Sequence, residues 1–152
     1  MMEVGDLAPE FELQSDRGDR VRLSELRGQR VILFFYPKDD TSGCTKEACG
    51  FRDAMPAIVE RNAIVLGVSP DPVRSHERFR DKYDLNFPLL ADEDHKVADA
   101  YGAWGPKKMY GREYHGILRS TFVIGEDGRI EKRYRKVRPA EHADEVVAEL
   151  GE

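Results

Sequence analysis

Cysteine is scarce in this chain: Cys44 and Cys49 are the two in 152 residues. So small a number excludes a disulfide-stapled scaffold, and it lacks the paired spacing of a zinc site. A bridge between residues five positions apart closes too short a loop to be a useful staple, so a redox task is the more natural use of the pair. Long apolar runs are also missing. The longest, Val31 to Tyr36, falls far short of the roughly 20 residues that span a bilayer, so no membrane partner is expected. The N-terminus has neither the basic start nor the apolar stretch of a secretory signal, and a cytoplasmic location is expected. Charge of one sign is not gathered into a tail: 24 basic and 29 acidic residues are interspersed for a net charge of −5, and the locally basic Lys132 to Arg138 reads as a solvated face, which argues against a nucleic-acid partner. Internal repeats, low-complexity segments and linkers are absent as well, so residues 1–152 read as a single domain. Hydrophobic residues make up 40% and charged residues 35%, the balance of a folded globular protein rather than a disordered one.

The order of elements carries the fold. Phe11 to Leu13 and Val21 to Leu23 alternate apolar and polar residues around an Asp16-Arg-Gly-Asp turn, which predicts an N-terminal hairpin. Arg30 to Tyr36 is a continuous β-branched and aromatic run that stops at Pro37, the pattern of a central strand covered on both faces. Beyond Gly43 the spacing of Ala48, Phe51, Arg52 and Met55 predicts a helix, and Pro56 either kinks it or begins a separate turn. A strand over 63–68, a helix from Asp71-Pro72 to about Tyr83, a short strand over 87–90 and a helix over 94–101 follow. Ser120 to Gly125 then pairs antiparallel with Arg129 to Arg135 through an Asp127-Gly128 turn, and a helix over 139–150 closes the chain. Residues 101–111 read as a loop packed by its own aromatics. His76, His95, His115 and His142 are scattered, so no metal site is expected. This order describes an α/β protein with a mixed central sheet flanked by helices and an N-terminal hairpin extension, the layout of the thioredoxin-like fold.

Cys44 falls just after the first central strand, in the first turn of the next helix, where open α/β sheets place functional sites. A cysteine is a nucleophile as the thiolate, and a free thiol with pKa about 8.5 is mostly protonated at neutral pH. A helix N-terminus offers unpaired N–H groups and a partial positive charge, and Ser42-Gly43 lets the backbone approach closely. The plain alternative is that Cys44 is a small buried hydrophobe.

Pro37, Thr41 and Cys44, spaced Pro-x3-Thr-x2-Cys, resemble the signature of the peroxiredoxins. Gly67-Val-Ser-Pro-Asp, Ser75-His76, Phe79, Phe87-Pro-Leu-Leu-Ala-Asp and Arg119-Ser-Thr-Phe-Val-Ile resemble the same family in the same order. Cys49, five residues after Cys44, is similar to the subgroup called peroxiredoxin Q or bacterioferritin comigratory protein. The resemblance implies a thiol peroxidase acting on hydrogen peroxide and organic hydroperoxides without metal, haem or flavin. It implies Cys44 as the peroxidatic nucleophile and Cys49 as the resolving thiol. Thioredoxin or a similar dithiol protein is then the reductant, and a monomer is expected. Pro37 would screen the thiolate from water, Thr41 would hold a peroxide oxygen, Arg119 would supply a fixed charge, and Glu47 would orient that arginine. Thr41 as a mere helix cap and Arg119 as a surface charge remain the plain alternatives.

On an intact helix the Cα atoms of Cys44 and Cys49 would stand about 8–9 Å apart, facing different ways, beyond the roughly 6.8 Å limit for a bridge. A disulfide between them therefore requires local unwinding from Ser42 to about Met55, eased by Gly50 and Pro56. Cys49 as an inert thiol is the alternative at that position. A Cys-x-x-Cys oxidoreductase fits the spacing poorly. A redox-regulated holdase or peroxide-sensing partner protein on the same scaffold stays open as a different class of function.

Overall fold

The computed structural model describes residues 2–135 and 137–150. Strand β3 (Arg30–Phe35) is its axis. Side chains alternate across a strand, and here both alternating sets are apolar. Ile32, Phe34 and Tyr36 enter one core with Phe51, Phe79 and Val146, while Val31, Leu33 and Phe35 enter the opposite core with Tyr101, Phe122 and Ile124. Phe34 and Phe35 are both fully buried, each contributing about 1.5–3 kcal/mol of transfer energy. This is why an uninterrupted apolar run, rather than an alternating one, marks the middle of the sheet.

β3 pairs parallel with β4 (Ala63–Ser69) and antiparallel with β8 (Ser120–Ile124). Outward from β4 lie β5 (Leu89–Ala91), β1 (Glu12–Ser15) and β2 (Arg20–Arg22), and outward from β8 lies β9 (Ile130–Tyr134). The sheet therefore has seven strands in the order β2-β1-β5-β4-β3-β8-β9, and the expected N-terminal hairpin joins it through β5. Helices α1 (Ser42–Glu60), α2 (Val73–Tyr83) and α4 (His142–Leu150) pack on one face, and α3 (Lys96–Tyr101) on the other. The mixed, helix-flanked sheet is thioredoxin-like, as the element order implies. No described helix is long and apolar enough to cross a membrane.

Two expectations are corrected. Residues 101–111 are not an aromatic-packed loop: β6 (Trp104–Met109) and β7 (Arg112–Ile117) form a separate hairpin. Its two-residue turn, Tyr110-Gly111, has both φ angles positive, 52° and 76°, which matches the twist that favours such turns. Tyr110 is 98% exposed, so it packs nothing. Of the two alternatives at Pro56, the separate turn is excluded: Pro56 lies inside α1, which continues to Glu60. Proline removes the N–H that would bond the carbonyl four residues back, here that of Arg52, and Asn86 Nδ2 donates to this carbonyl instead at 3.2 Å. Smaller shifts occur at two helix starts. α3 begins at Lys96 because His95 adopts a left-handed φ of 51°, and α4 begins at His142.

Candidate active site

Chain direction sets the site. β3 ends at Phe35, residues 36–41 form a loop, and α1 begins at Ser42 with Thr41 as its N-cap in extended conformation. Cys44 therefore lies in the first helical turn and is fully buried. The Thr41 hydroxyl does not cap the helix. It donates to the Lys38 carbonyl at 2.9 Å, and its oxygen lone pairs remain able to accept. Pro37 is half-buried at the start of the same loop.

Arg119 precedes β8, whose first residue, Ser120, pairs with Phe35 at the end of β3. One guanidinium nitrogen, Nη2, donates to Cys44 Sγ at 3.1 Å, while Nη1 donates to Glu47 Oε1 at 2.8 Å. The arginine side chain is 20% exposed and Glu47 not at all. The fork geometry of a guanidinium allows both bonds at once. Gly43 makes room for it: a Cβ there would stand 3.3 Å from Arg119 Nη2. Burial opposes the Arg119 charge, but Glu47 and Cys44 outweigh it and hold the guanidinium above its ordinary value. Burial also pushes the Glu47 carboxyl up to about 7, against the lowering effect of Arg119. Its second oxygen, Oε2, is buried without a hydrogen-bond partner.

Cys49 is half-buried further along the same helix, and both cysteines are free thiols. The fold thus brings Cys44, Glu47 and Arg119 together, places Thr41 and Pro37 on the adjoining loop, and leaves Cys49 outside this cluster.

Other residues escaped the sequence pattern. The loop is anchored by Asp39, whose carboxylate accepts from Tyr36 Oη (2.6 Å) and Ser75 Oγ (2.8 Å) and faces His76 Nδ1 at 2.7 Å. His76, scattered in sequence, thus meets a carboxylate inside the core. Asp39, Asp71 and His76 bring ligand-type atoms within 4.8 Å of one another. These atoms already bond protein groups: Asp71 Oδ2 accepts from Asp39 N and Ser69 Oγ, and His76 Nε2 meets the Leu90 carbonyl. The cluster is a hydrogen-bonded brace rather than a vacant donor set. Lys107 on β6 is half-buried. Burial first, then the charge of Arg119, lowers its pKa, while Cys44 acts in the opposite sense. No pattern signals Lys107, because only the hairpin brings it near the thiol.

A buried thiol at the end of a central strand, bonded by a guanidinium that a carboxylate holds in place, defines a thiol-based redox enzyme. The chain belongs to the AhpC/TSA family, whose model matches residues 4–133. Peroxiredoxin Bcp of Bacillus subtilis (strain 168) is 46% identical over 149 residues, covering 98% of this chain and 95% of the relative. A putative peroxiredoxin bcp of Coxiella burnetii is 48% identical over 149 residues, covering 98% and 99%. Among solved structures, a cysteine-to-serine mutant of Xylella fastidiosa PrxQ superposes with a TM-score of 0.92 at 37% identity, over 99% of this chain and 96% of that one. A structure of the Xanthomonas campestris bacterioferritin comigratory protein, described in terms of alkyl peroxide reduction, gives a TM-score of 0.90 at 36% identity, over 99% and 96%. The protein is a peroxiredoxin of the Bcp/peroxiredoxin Q type and a peroxidase.

Proposed function

We propose that Cys44 is the peroxidatic nucleophile, reducing hydrogen peroxide and organic hydroperoxides, and that Cys49 resolves it. The observation that carries this reading is the Arg119 fork, bonded to Cys44 Sγ at 3.1 Å and to Glu47 at 2.8 Å. The Cys44 thiolate attacks the terminal peroxide oxygen. The O–O bond breaks, Cys44 becomes a sulfenic acid, and the leaving alkoxide or hydroxide takes up a proton. Arg119 stabilises negative charge both on the sulfur and on the separating oxygens. With its own proton committed to Lys38, the Thr41 hydroxyl accepts the hydroperoxide O–H and so orients it. Pro37 covers the sulfur from solvent, and Glu47 positions Arg119.

Cys49 then attacks the Cys44 sulfur as a thiolate. A disulfide forms and the sulfenic oxygen leaves as water after protonation. A dithiol protein such as thioredoxin reopens the bridge and is itself oxidised. The reading takes 1–152 as one domain, monomeric and cytoplasmic, with no metal or organic cofactor.

Peroxide consumption coupled to thioredoxin and its reductase tests it. Cys44→Ser should show no turnover. Cys49→Ser should react once and then stall or over-oxidise unless an external thiol rescues it. Undiminished turnover by Cys44→Ser sinks the mechanism.

A further inference from the structure

The segment carrying both cysteines is held unequally at its two ends. On the N-terminal side, Asp39 is gripped by Tyr36, Ser75 and His76. Asp40 accepts from Lys82 Nζ and Tyr83 Oη, each at 2.7 Å. The peroxide-facing loop is therefore fixed to α2. At the other end Phe51 is buried against Phe34 and His142, and the polar ties run through Arg52, about a helical turn beyond Cys49.

Arg52 has two tertiary ties, beside a local ion pair of its Nε with Asp53 Oδ1 at 2.9 Å. Its carbonyl has lost its helical donor to Pro56 and accepts instead from Asn86 Nδ2 at 3.2 Å. Its guanidinium Nη1 donates at 2.6 Å to the carbonyl of Tyr83, the last residue of α2. That carbonyl is one of the acceptors left without a partner at a helix C-terminus, where a cation also suits the helix dipole. The backbone ladder of α1 thus lacks a bond at residue 52, where Asn86, on the segment joining α2 and β5, supplies the donor instead. The Arg52 side chain is 30% exposed, so water can take over the bonds it releases. For Cys49 to leave the helix the intrahelical bonds around it must break, and with them the Arg52 ties to Tyr83 and Asn86.

We propose that Arg52 is a positioning residue of the resolving step: held by Tyr83 and Asn86, it latches Cys49 into α1, and release of this latch sets how fast Cys49 reaches Cys44. The inference rests on the resolving role of Cys49. While the latch is closed the Cys44 sulfenic acid persists, and a second peroxide can carry it to the sulfinic acid. The latch therefore governs the division between disulfide and over-oxidation. Arg52 acts through Cys49 and touches neither substrate nor Cys44.

Rapid mixing of reduced enzyme with hydrogen peroxide, followed by acid quench and intact mass, separates sulfenic acid, disulfide and sulfinic acid. Arg52→Met should form the disulfide about five- to tenfold faster than the parent, the effect of losing one hydrogen bond to a charged group near solvent. Asn86→Ala, an exposed and uncharged change, should give about a two- to threefold increase. Both should lower the sulfinic share at high peroxide and weaken amide protection over residues 44–51 in the reduced protein. A merely structural role would shift melting temperature without changing that share. Parental rates in both variants, or slower closure in Arg52→Met, overturn the latch. A parent that forms no intramolecular disulfide overturns the resolving role itself, and the latch with it.

Discussion

The two ends of α1 teach opposite lessons about how a site is built. At its first turn, Cys44 is fully buried and bonded by an arginine 75 residues away, which is in turn fixed by a carboxylate from the same helix. One turn and a half later, Cys49 is half-buried and free, and it shares no described hydrogen bond with Cys44. The first end is organised before any peroxide arrives, as electrostatic catalysis requires. Under the proposed resolving role of Cys49, the second end acts in a different state, in which the helix opens. The two ends of one helix thus differ in their tertiary bonds: the Arg119 fork at the first, the Arg52 ties to Tyr83 and Asn86 beyond the second.

Breaking the rigid end should have the largest effect. Arg119→Met should slow the reaction of Cys44 with peroxide by about 10²–10³-fold, the range found when a transition-state donor is removed. Arg119→Lys should recover part of this loss, because an ammonium keeps the charge but cannot fork between sulfur and carboxylate. Stopped-flow measurement of the peroxide step alone checks both, and a parental rate in Arg119→Met would remove the arginine from the mechanism.

The opening end is probed by hydrogen exchange. Oxidising the protein to the disulfide should lower amide protection over residues 44–55 by roughly a hundredfold, while strands β3 and β4 keep theirs. Equal protection in the two forms would show that the bridge closes without unwinding.

A third effect is one of pH and concerns Glu47. Its carboxyl, ordinarily at 4.5, is pushed up to about 7 by burial, so the folded protein favours the protonated form. The stabilising contribution is complete below the unfolded value and is lost as pH rises through the folded one. Stability should therefore fall by up to about 3 kcal/mol between about pH 4.5 and pH 8 from this group. Denaturant unfolding across that range should show the decline in the parent and a flatter profile in Glu47→Gln, and identical profiles would contradict it.

Strongly patterned elements were legible from the chain. β3, β4 and β8 are continuous apolar runs buried on both faces, and α2 starts where Asp71-Pro72 predicts. The β6–β7 hairpin was hidden because its turn is Tyr110-Gly111, not one of the Asn-Gly or Asp-Gly pairs that mark such turns. The separate turn expected as one alternative at Pro56 did not form, for a related reason. A local rule says that proline interrupts a helix, and the compensation comes from Asn86, thirty-four positions away from Arg52 in sequence. The brace around Asp39 and the nearness of Lys107 to the thiol were equally invisible, since each depends on which elements dock together.

What the sequence by itself determined is the place of Cys44: an apolar strand stopped by Pro37, then a helix whose first turn carries the thiol. Those are short-range preferences, set by side-chain periodicity and by proline, and they act over a few residues. Only the tertiary structure decided that Arg119 meets that sulfur, that Glu47 is buried beside it, and that Arg52, a turn beyond Cys49, is tied to the end of α2. Such contacts join residues distant along the chain, and they exist because the sheet order and helix packing bring their elements together.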